Sequence, residues 1–140
     1  KEFFDYLADL EIMRSMRYQD FATVLLLEPD KGFNNGSDLK SFAHIMRDEL
    51  RTSDIIGRLN HVRFGIILPH TDLQSSFMAG ERLRKRVEDY LFSTGYKHTI
   101  SLGGSCFPTN VTTSDNLVST AEEMLKKAKD KGGNTICFPQ

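Results

Sequence analysis

The segment from Ala22 to Leu27 limits the folds open to this chain more than any other segment does. It is apolar apart from Thr23, and it ends at the sequence Glu28 to Asp30. A strand that is apolar at nearly every position, rather than at alternate positions, is typical of a strand buried on both faces. We therefore expect this segment to be the central strand of a layered fold.

Helical and strand patterns alternate along the rest of the chain. Apolar residues recur at helical spacing from Phe3 to Leu10, from Leu39 to Leu50, from Leu73 to Leu91 and from Leu117 to Ala128. Short strands are predicted over 54–59, 64–68, 97–107 and 135–138, and the polar residues between the first two indicate a hairpin. The order is therefore α-β-α-β-β-α-β-α-β. It predicts an α/β layer with a mixed sheet, because helices between strands require crossover connections.

Short polar and glycine-containing segments predict where some of these elements begin and end. The sequence Thr71 to Gln74 fits a capping box before the third helix, and Ser37 or Asp38 is available to cap the second. The pair Gly103-Gly104 indicates a bulge or a close backbone approach in the fourth strand. The pair Gly132-Gly133 is expected to stop the last helix.

Composition excludes several classes of protein. The 140 residues suit one domain with one core, and 18 basic and 19 acidic residues leave a formal charge of −1. No global field therefore attracts the chain to a nucleic-acid polymer or a membrane surface. The longest apolar run, Val24 to Leu27, is too short for direct membrane insertion, and we recognise no signal peptide. Cys106 and Cys137 lack metal-ligand spacing and indicate a reduced compartment.

These features predict a cytoplasmic location, which includes the cytoplasmic domain of a membrane protein. Because the chain opens at Lys1 inside a predicted helix, we expect a piece of a larger protein. We therefore divide it into an N-terminal helix over 1–20, which leads in from that protein, and a folded domain over 21–140.

Several motifs, taken together and in order over residues 22–138, resemble those of GGDEF domains, the diguanylate cyclases. The family's R-x-x-D motif is intact as Arg51 to Asp54, and after a five-residue spacer Asn60-His61-Val62-Arg63-Phe64 stands where GG(D/E)EF belongs. Residues 80–84 resemble the A-E-R-I-R helix, 100–104 the S-I-G-V strand, and 121–134 the A-D-x-A-L-Y-x-A-K-x-x-G-R-N ending. The resemblance implies a nucleotide-cyclase-like α+β fold, with a central five-stranded mixed sheet wrapped by helices and a β-hairpin at the former GGDEF turn.

The resemblance also implies where a cyclase would hold its metal ions, and this chain departs from the family there. One family carboxylate ends the first strand, where Glu28 stands, and the other is the third letter of GG(D/E)EF, where Val62 stands. Valine cannot bind a divalent cation, and Arg63 beside it opposes one. Gly133 takes the place of a phosphate-binding arginine, although Lys129 remains. We therefore predict no catalytic residue, no metal, no cofactor and no enzyme activity from this degenerate signature.

Members of this family often bind their product, cyclic di-GMP, at a second site, and the resemblance implies that this site is retained. Arg51 and Asp54 match its R-x-x-D motif, Arg82 matches its helix arginine, and Arg86 is a lower-ranked phosphate contact. An arginine fork can bind guanine O6 and N7 or a phosphate, and a carboxylate can accept from guanine N1–H. We expect a cyclic di-GMP receptor in a bacterial signalling protein, which acts on other domains of its parent and forms a ligand-mediated homodimer.

Other interpretations of the same residues remain open. Arg51 and Asp54 can be a solvated surface pair worth about 0–1 kcal/mol, and Arg82 can lie on the exposed face of an amphipathic helix. The domain would then be a protein-interaction or dimerisation module that binds no nucleotide, with Phe3, Phe4 and Tyr6 on an interdomain surface or in the core. A third interpretation is GTP binding without turnover, which would depend on Glu28 or Lys129.

Overall fold

The computed structural model describes residues 2–33 and 36–140. In these ranges the elements are α1 (Glu2–Tyr18), β1 (Ala22–Pro29), α2 (Gly36–Glu49), β2 (Ile55–Arg58), β3 (Phe64–Pro69), α3 (Leu73–Asp89), β4 (Ile100–Phe107), α4 (Ser114–Asp130) and β5 (Ile136–Cys137). The predicted order of helices and strands is confirmed. Of the described helices, none is both long enough and apolar enough to cross a bilayer.

Strand β1 lies at the centre of a five-stranded mixed sheet, as predicted. The strand order is β2-β3-β1-β4-β5. Strand β1 pairs with β3 and with β4 in antiparallel fashion, and only the pairing of β4 with β5 is parallel. Every residue of β1 is buried, which explains its continuous apolar sequence.

Two apolar cores cover the two faces of the sheet. Leu25 and Leu27 of β1 belong to the core under α2 and α3, whereas Val24 and Leu26 belong to the core under α1 and α4. This division follows from the strand period of two, which sends successive side chains to opposite faces. The fold therefore has three layers, with a pair of helices on each side of the sheet.

Helix α1 buries a different face from the one that its apolar residues predict. Phe4, Ala8 and Ile12 are buried, whereas Phe3 and Leu10 are exposed. The ring of Phe4 occupies the space above Gly57 and Gly65, where a Cβ would lie 3.1 and 2.6 Å from ring atoms. The two glycines therefore leave space for Phe4, and α1 is oriented with Phe3 and Tyr6 pointing away from the core.

The predicted capping residues need correction. Helix α3 begins at Leu73 and its N-cap is Asp72, whose side chain accepts from the Ser75 amide at 2.8 Å. Thr71 does not cap the helix: its buried hydroxyl accepts from Arg51 Nη2 at 2.6 Å and donates to the Pro69 carbonyl at 2.7 Å. Ser37 and Asp38 lie inside α2, which begins at Gly36, and the residue before that helix lies outside the described residues.

Strand β4 differs from its prediction at two points. It begins at Ile100 rather than at residue 97, and its pairing with β1 runs without interruption through Gly103 and Gly104, so there is no bulge. The close approach is confirmed, because a Cβ on Gly103 would overlap the backbone of α4 at Ala121 and Leu125. The pair Gly132-Gly133, both with positive φ, follows the end of α4 as predicted.

Candidate functional site

The R-x-x-D motif forms a turn between α2 and β2, and the side chain of Asp54 closes this turn. The Arg51 amide donates to Asp54 Oδ2 at 2.8 Å, and the Asp54 amide donates to the Arg51 carbonyl at 3.1 Å. The arginine and the aspartate are therefore three residues apart because they stand at the two ends of this hydrogen-bonded turn. The Asp54 side chain is 3% exposed, whereas 55% of the Arg51 side chain is exposed.

One nitrogen of Arg51 fixes the guanidinium to the end of β3. Its Nη2 donates to Asp54 Oδ1 at 3.2 Å, to the Pro69 carbonyl at 2.9 Å and to Thr71 Oγ1 at 2.6 Å. A guanidinium has five donors in a rigid plane, so these contacts orient the whole group. Neither Nε nor Nη1 of Arg51 has a hydrogen-bond acceptor among the described residues.

Arg82, on α3, is the third predicted binding residue. Its side chain is 57% exposed, and its Nε lies 3.8 Å from Glu49 Oε2 at the end of α2, which is a loose ion pair. Arg51, Asp54 and Arg82 all line one cavity of about 220 Å³, which we call the first cavity. Its other lining residues are Glu49, Leu50, Leu68, Thr71, Ser75, Met78 and Ala79. The three predicted binding residues therefore meet, although they come from separate parts of the chain.

The first cavity combines charged groups with an apolar wall. Two arginines and two carboxylates line it together with Leu50, Leu68 and Met78. A flat aromatic ligand can pack against such a wall while charged groups at its edge select its polar atoms. The Glu49 carboxylate opposes an anion there but can accept from a donor such as guanine N1–H.

Arg86, the fourth predicted contact, lies outside the lining of the first cavity. Its Nη2 is 3.1 Å from Asp48 Oδ2 and its Nη1 is 3.1 Å from Glu49 Oε1. The hydrogen bonds to Asp48 and then Glu49 raise the pKa of Arg86 above its ordinary value. A phosphate at Arg86 would have to compete with both carboxylates, so its role stays a prediction.

The hairpin tip, where the resemblance places the former signature, is closed by its own groups. Asn60 Oδ1 accepts from the amides of Val62 and Arg63 at 2.9 and 2.8 Å. Arg58 donates to the carbonyls of Asn60 and His61, and His61 itself is exposed. The backbone amides of Val62 and Arg63 are therefore already paired. Phe64 is buried against the ring of Phe42 at 5.3 Å between centroids.

Glu28, at the end of β1, is the centre of an ion cluster. Its side chain is 7% exposed, Arg63 Nε lies 2.7 Å from Oε2, and Lys129 donates to Oε1. Burial raises the pKa of Glu28, but the hydrogen bonds from Lys129 and Arg63 outweigh burial and hold the pKa below its ordinary value. Arg63 also contacts Glu122 at 3.4 Å.

Asp30, the other carboxylate at this end of β1, is also fully engaged. It accepts from the Thr99 hydroxyl at 2.6 Å, from the Ser101 hydroxyl and from the Asn134 amide at 2.9 Å. Divalent cations need several oxygen ligands that are free to coordinate. Because Glu28 holds two cations and Asp30 holds three donors, the residues at this corner do not fit a divalent metal.

Sequence reasoning missed two groups of the first cavity, Thr71 and Glu49. Thr71 lies two residues after Pro69 and its hydroxyl orients Arg51, yet its sequence context indicates a helix cap instead. Glu49 faces Arg82 only because α2 packs on α3. A residue pattern along one helix cannot predict that contact, since it depends on how the two helices are placed.

The sheet, its four helices and the first cavity define a nucleotide-cyclase-like α+β domain. Residues 5–135 match the family model described as "Diguanylate cyclase, GGDEF domain", and the chain belongs to that family. It is 29% identical over 128 residues to uncharacterized protein YhcK of Bacillus subtilis, covering 88% of this chain and 36% of that protein. It thus spans about a third of that relative's length.

Two solved structures confirm the fold. The GGDEF domain of YfiN (TpbB) from Pseudomonas aeruginosa superposes with a TM-score of 0.90 at 18% identity, covering 100% of this chain and 89% of that one. The GGDEF domain of DgcB from Caulobacter crescentus, solved in complex with c-di-GMP, gives a TM-score of 0.81 at 17% identity, covering 96% and 87%. The predicted fold class and family are both confirmed.

Proposed function

We propose that this domain is a catalytically inactive GGDEF domain that acts as a receptor for cyclic di-GMP in a bacterial, cytoplasmic signalling protein. The observation that carries the proposal is the convergence of Arg51, Asp54 and Arg82 on the first cavity. The DgcB domain, of the same fold, was solved with this ligand. Output would pass to other domains of the parent protein.

The state of Arg51 supports a binding role. The side-chain hydrogen bonds of Arg51 to described residues all run from Nη2, so Nε–H and Nη1–H, on different sides of the guanidinium, can each donate singly to an acceptor such as guanine O6, guanine N7 or a phosphate oxygen. An arginine fixed in this way loses little rotamer freedom when ligand binds, which lowers the entropic cost of association. A solvated surface pair would not need anchors at Pro69 and Thr71.

The ion cluster at Glu28 supports the absence of catalysis. Phosphoryl transfer depends on cations that neutralise the developing charge, and the carboxylates must be free to hold them. Here Arg63 and Lys129 neutralise Glu28, and Val62 stands where the family's second carboxylate belongs. A metal ion would have to displace the Arg63 and Lys129 side chains from Glu28 and would gain one carboxylate ligand.

Calorimetric titration with cyclic di-GMP tests the receptor. We expect micromolar or tighter binding, and Arg51→Ala should weaken it by about tenfold or more because a charge-assisted contact is lost. The matched control is Arg17→Ala, which removes an exposed arginine of α1 outside the first cavity and should leave the affinity unchanged. Absence of heat with the wild-type domain would refute the receptor.

Catalysis has its own test. The domain is incubated with GTP and Mg²⁺ or Mn²⁺, an active diguanylate cyclase is assayed in parallel, and the products are separated by chromatography. We expect no cyclic di-GMP from this domain. Detectable product would overturn the inactive assignment and would leave the binding result unaffected.

A second candidate, the interaction module that binds no nucleotide, is favoured by the outer face of α1. Phe3, Tyr6, Leu10 and Met13 lie at the 3-4-3 spacing of a coiled-coil seam, and between 43 and 70% of each is exposed. Phe4, in contrast, belongs to the core. Sedimentation separates the candidates, because a dimer that needs cyclic di-GMP supports the receptor. A dimer that forms without ligand and is lost in Leu10→Glu supports the interaction module.

A further inference from the structure

A second cavity adjoins the first on the side of Arg51 that α3 does not reach. It has a volume of about 260 Å³ and is lined by Arg47, Leu50, Arg51, Thr52, Asp54 and Ile56. Leu50, Arg51 and Asp54 line both cavities. Each cavity is smaller than the 300–1,000 Å³ typical of a small-molecule pocket, but the two meet at the same arginine and together reach that size.

Arg47 distinguishes the second cavity. It lies in the last turn of α2 and is exposed, and no carboxylate of the described residues lies within ion-pair distance of it. Arg82 and Arg86, by contrast, both contact Glu49. Arg47 is therefore the cation of this region that an anionic group can approach without displacing a carboxylate.

The two cavities differ in charge. The first contains the Glu49 carboxylate, which repels an anion, whereas Asp54 is the only carboxylate among the described residues that line the second. Asp54 is bound to the amide and guanidinium of Arg51 and its side chain is 3% exposed. The second cavity is thus the more favourable one for a phosphate, and the first, with its apolar wall and acceptors, is the more favourable one for a guanine.

We propose that the second cavity is a phosphate subsite, in which Arg47 and Arg51 together bind one phosphate of a cyclic dinucleotide while a guanine enters the first cavity. The inference rests on the proposed receptor function and adds Arg47 to its binding residues. Hydrogen bonds from two guanidinium groups to one phosphate are charge-assisted, and such bonds are the strong class.

Removal of the Arg47 charge is the first test. Cyclic di-GMP is titrated into the wild-type domain, Arg47→Ala and Lys40→Ala, the last of which removes an exposed cation of the same helix that lines neither cavity. Arg47→Ala should weaken binding about tenfold and Lys40→Ala should not. Equal affinities of the two variants would overturn the subsite, even where Arg47→Ala lowers the stability of α2 in a urea titration.

A steric block provides an independent test that leaves every charge in place. Thr52 is exposed and lines the second cavity, whereas its neighbour Ser53 is exposed and lines neither. Thr52→Trp should fill the cavity and weaken cyclic di-GMP binding about tenfold, and Ser53→Trp should bind like the wild type. Full affinity of Thr52→Trp would contradict the proposal.

The outcomes separate this inference from the receptor function. Binding that Arg51→Ala destroys but that Arg47→Ala and Thr52→Trp leave intact would refute the subsite and preserve the receptor. A wild-type domain that does not bind cyclic di-GMP would refute both.

Discussion

Thr71 connects the first cavity to the core of the sheet. Its hydroxyl accepts from Arg51 and donates to the Pro69 carbonyl, and its own carbonyl accepts from the Thr23 hydroxyl at 3.1 Å. Thr23 in turn accepts from Ser76 at 2.6 Å, and both of these side chains are buried. The orientation of Arg51 is therefore set by β1 and α3, not by the exposed turn alone.

Substitution Thr71→Val tests this connection. Valine keeps the branched shape but removes the hydroxyl, so Arg51 loses one anchor and the Pro69 carbonyl loses a donor. We expect about fivefold weaker cyclic di-GMP binding by calorimetry and a loss of about 1 kcal/mol in the free energy of unfolding. Thr112→Val, at an exposed threonine, is the control. Lower stability with unchanged affinity would make Thr71 a structural residue only.

Glu28 determines part of the pH dependence of stability. Its pKa is below its ordinary value in the folded domain, and an unperturbed glutamate titrates near about 4.3. A depressed folded pKa gives stability that is complete above the unfolded pKa and is lost as the pH falls through the folded one. This contribution should thus decline from about pH 5 downward.

Glu28→Gln should remove that contribution. We expect a loss of about 1–2 kcal/mol at pH 7, because Arg63 and Lys129 lose their charge partner but remain partly exposed. The loss should shrink as the pH approaches 3. Urea titrations of both proteins from pH 7 to pH 3 measure it. A difference that stays constant across this range would show that the Glu28 charge does not stabilise the domain.

At the level of elements, sequence periodicity was sufficient for the order of helices and strands but not for their faces and ends. The continuous apolar run of β1 can only be buried on both sides, so its central place was predictable. The choice between Phe3 and Phe4 was not, because it depends on Gly57 and Gly65 two strands away. The cap of α3 was mispredicted because the use of the Thr71 hydroxyl depends on Arg51.

The residues of the candidate site also divide into those that the sequence indicated and those that it did not. The family resemblance implied Arg51, Asp54 and Arg82, and the structure brings these three to one cavity, while their binding role stays a prediction. Glu49 and Arg47 were not implied, since their roles depend on whether α2 brings a carboxylate or a free cation to each cavity. The ion cluster at Glu28 was anticipated only as a loss of metal ligands. Its closure by Lys129 required the packing of α4 against β1.

The close packing of α4 on β4 leads to a prediction about substitutions at Gly103 and Gly104. A Cβ on Gly103 would overlap the backbone of α4, whereas the atoms nearest to a Cβ on Gly104 would be those of the Phe138 ring. Backbone cannot move aside as the far end of an aromatic side chain can. Gly103→Ala should therefore cost at least about 2 kcal/mol of unfolding free energy, and Gly104→Ala about 1 kcal/mol or less. Equal losses in urea titrations would contradict the close approach.

At the scale of the whole molecule, the two ends of β1 lie at two different sites, the first cavity and the ion cluster at Glu28. Thr23, near the start of β1, belongs to the hydrogen-bond network behind the first cavity, and Glu28, near its end, holds the ion cluster. Five residues of extended strand place them about 16 Å apart. A ligand in the first cavity therefore leaves the cluster intact, and a nucleotide at the cluster would have to break ion pairs that the ligand does not touch.

This separation predicts how the melting temperature responds to each nucleotide. Cyclic di-GMP at about 100 times its Kd stabilises the folded state by about 2.7 kcal/mol, which for a domain of this size raises the Tm by roughly 5–10 °C. GTP with Mg²⁺ should leave the Tm unchanged, since Arg63 and Lys129 already occupy Glu28. Differential scanning calorimetry measures both shifts, and Arg51→Ala should roughly halve the first at the same ligand concentration, because a tenfold weaker Kd leaves about 1.4 kcal/mol of stabilisation. If GTP with Mg²⁺ raises the Tm as much as cyclic di-GMP does, and Lys129→Ala removes that shift, nucleotide binding without turnover at the end of β1 replaces the receptor.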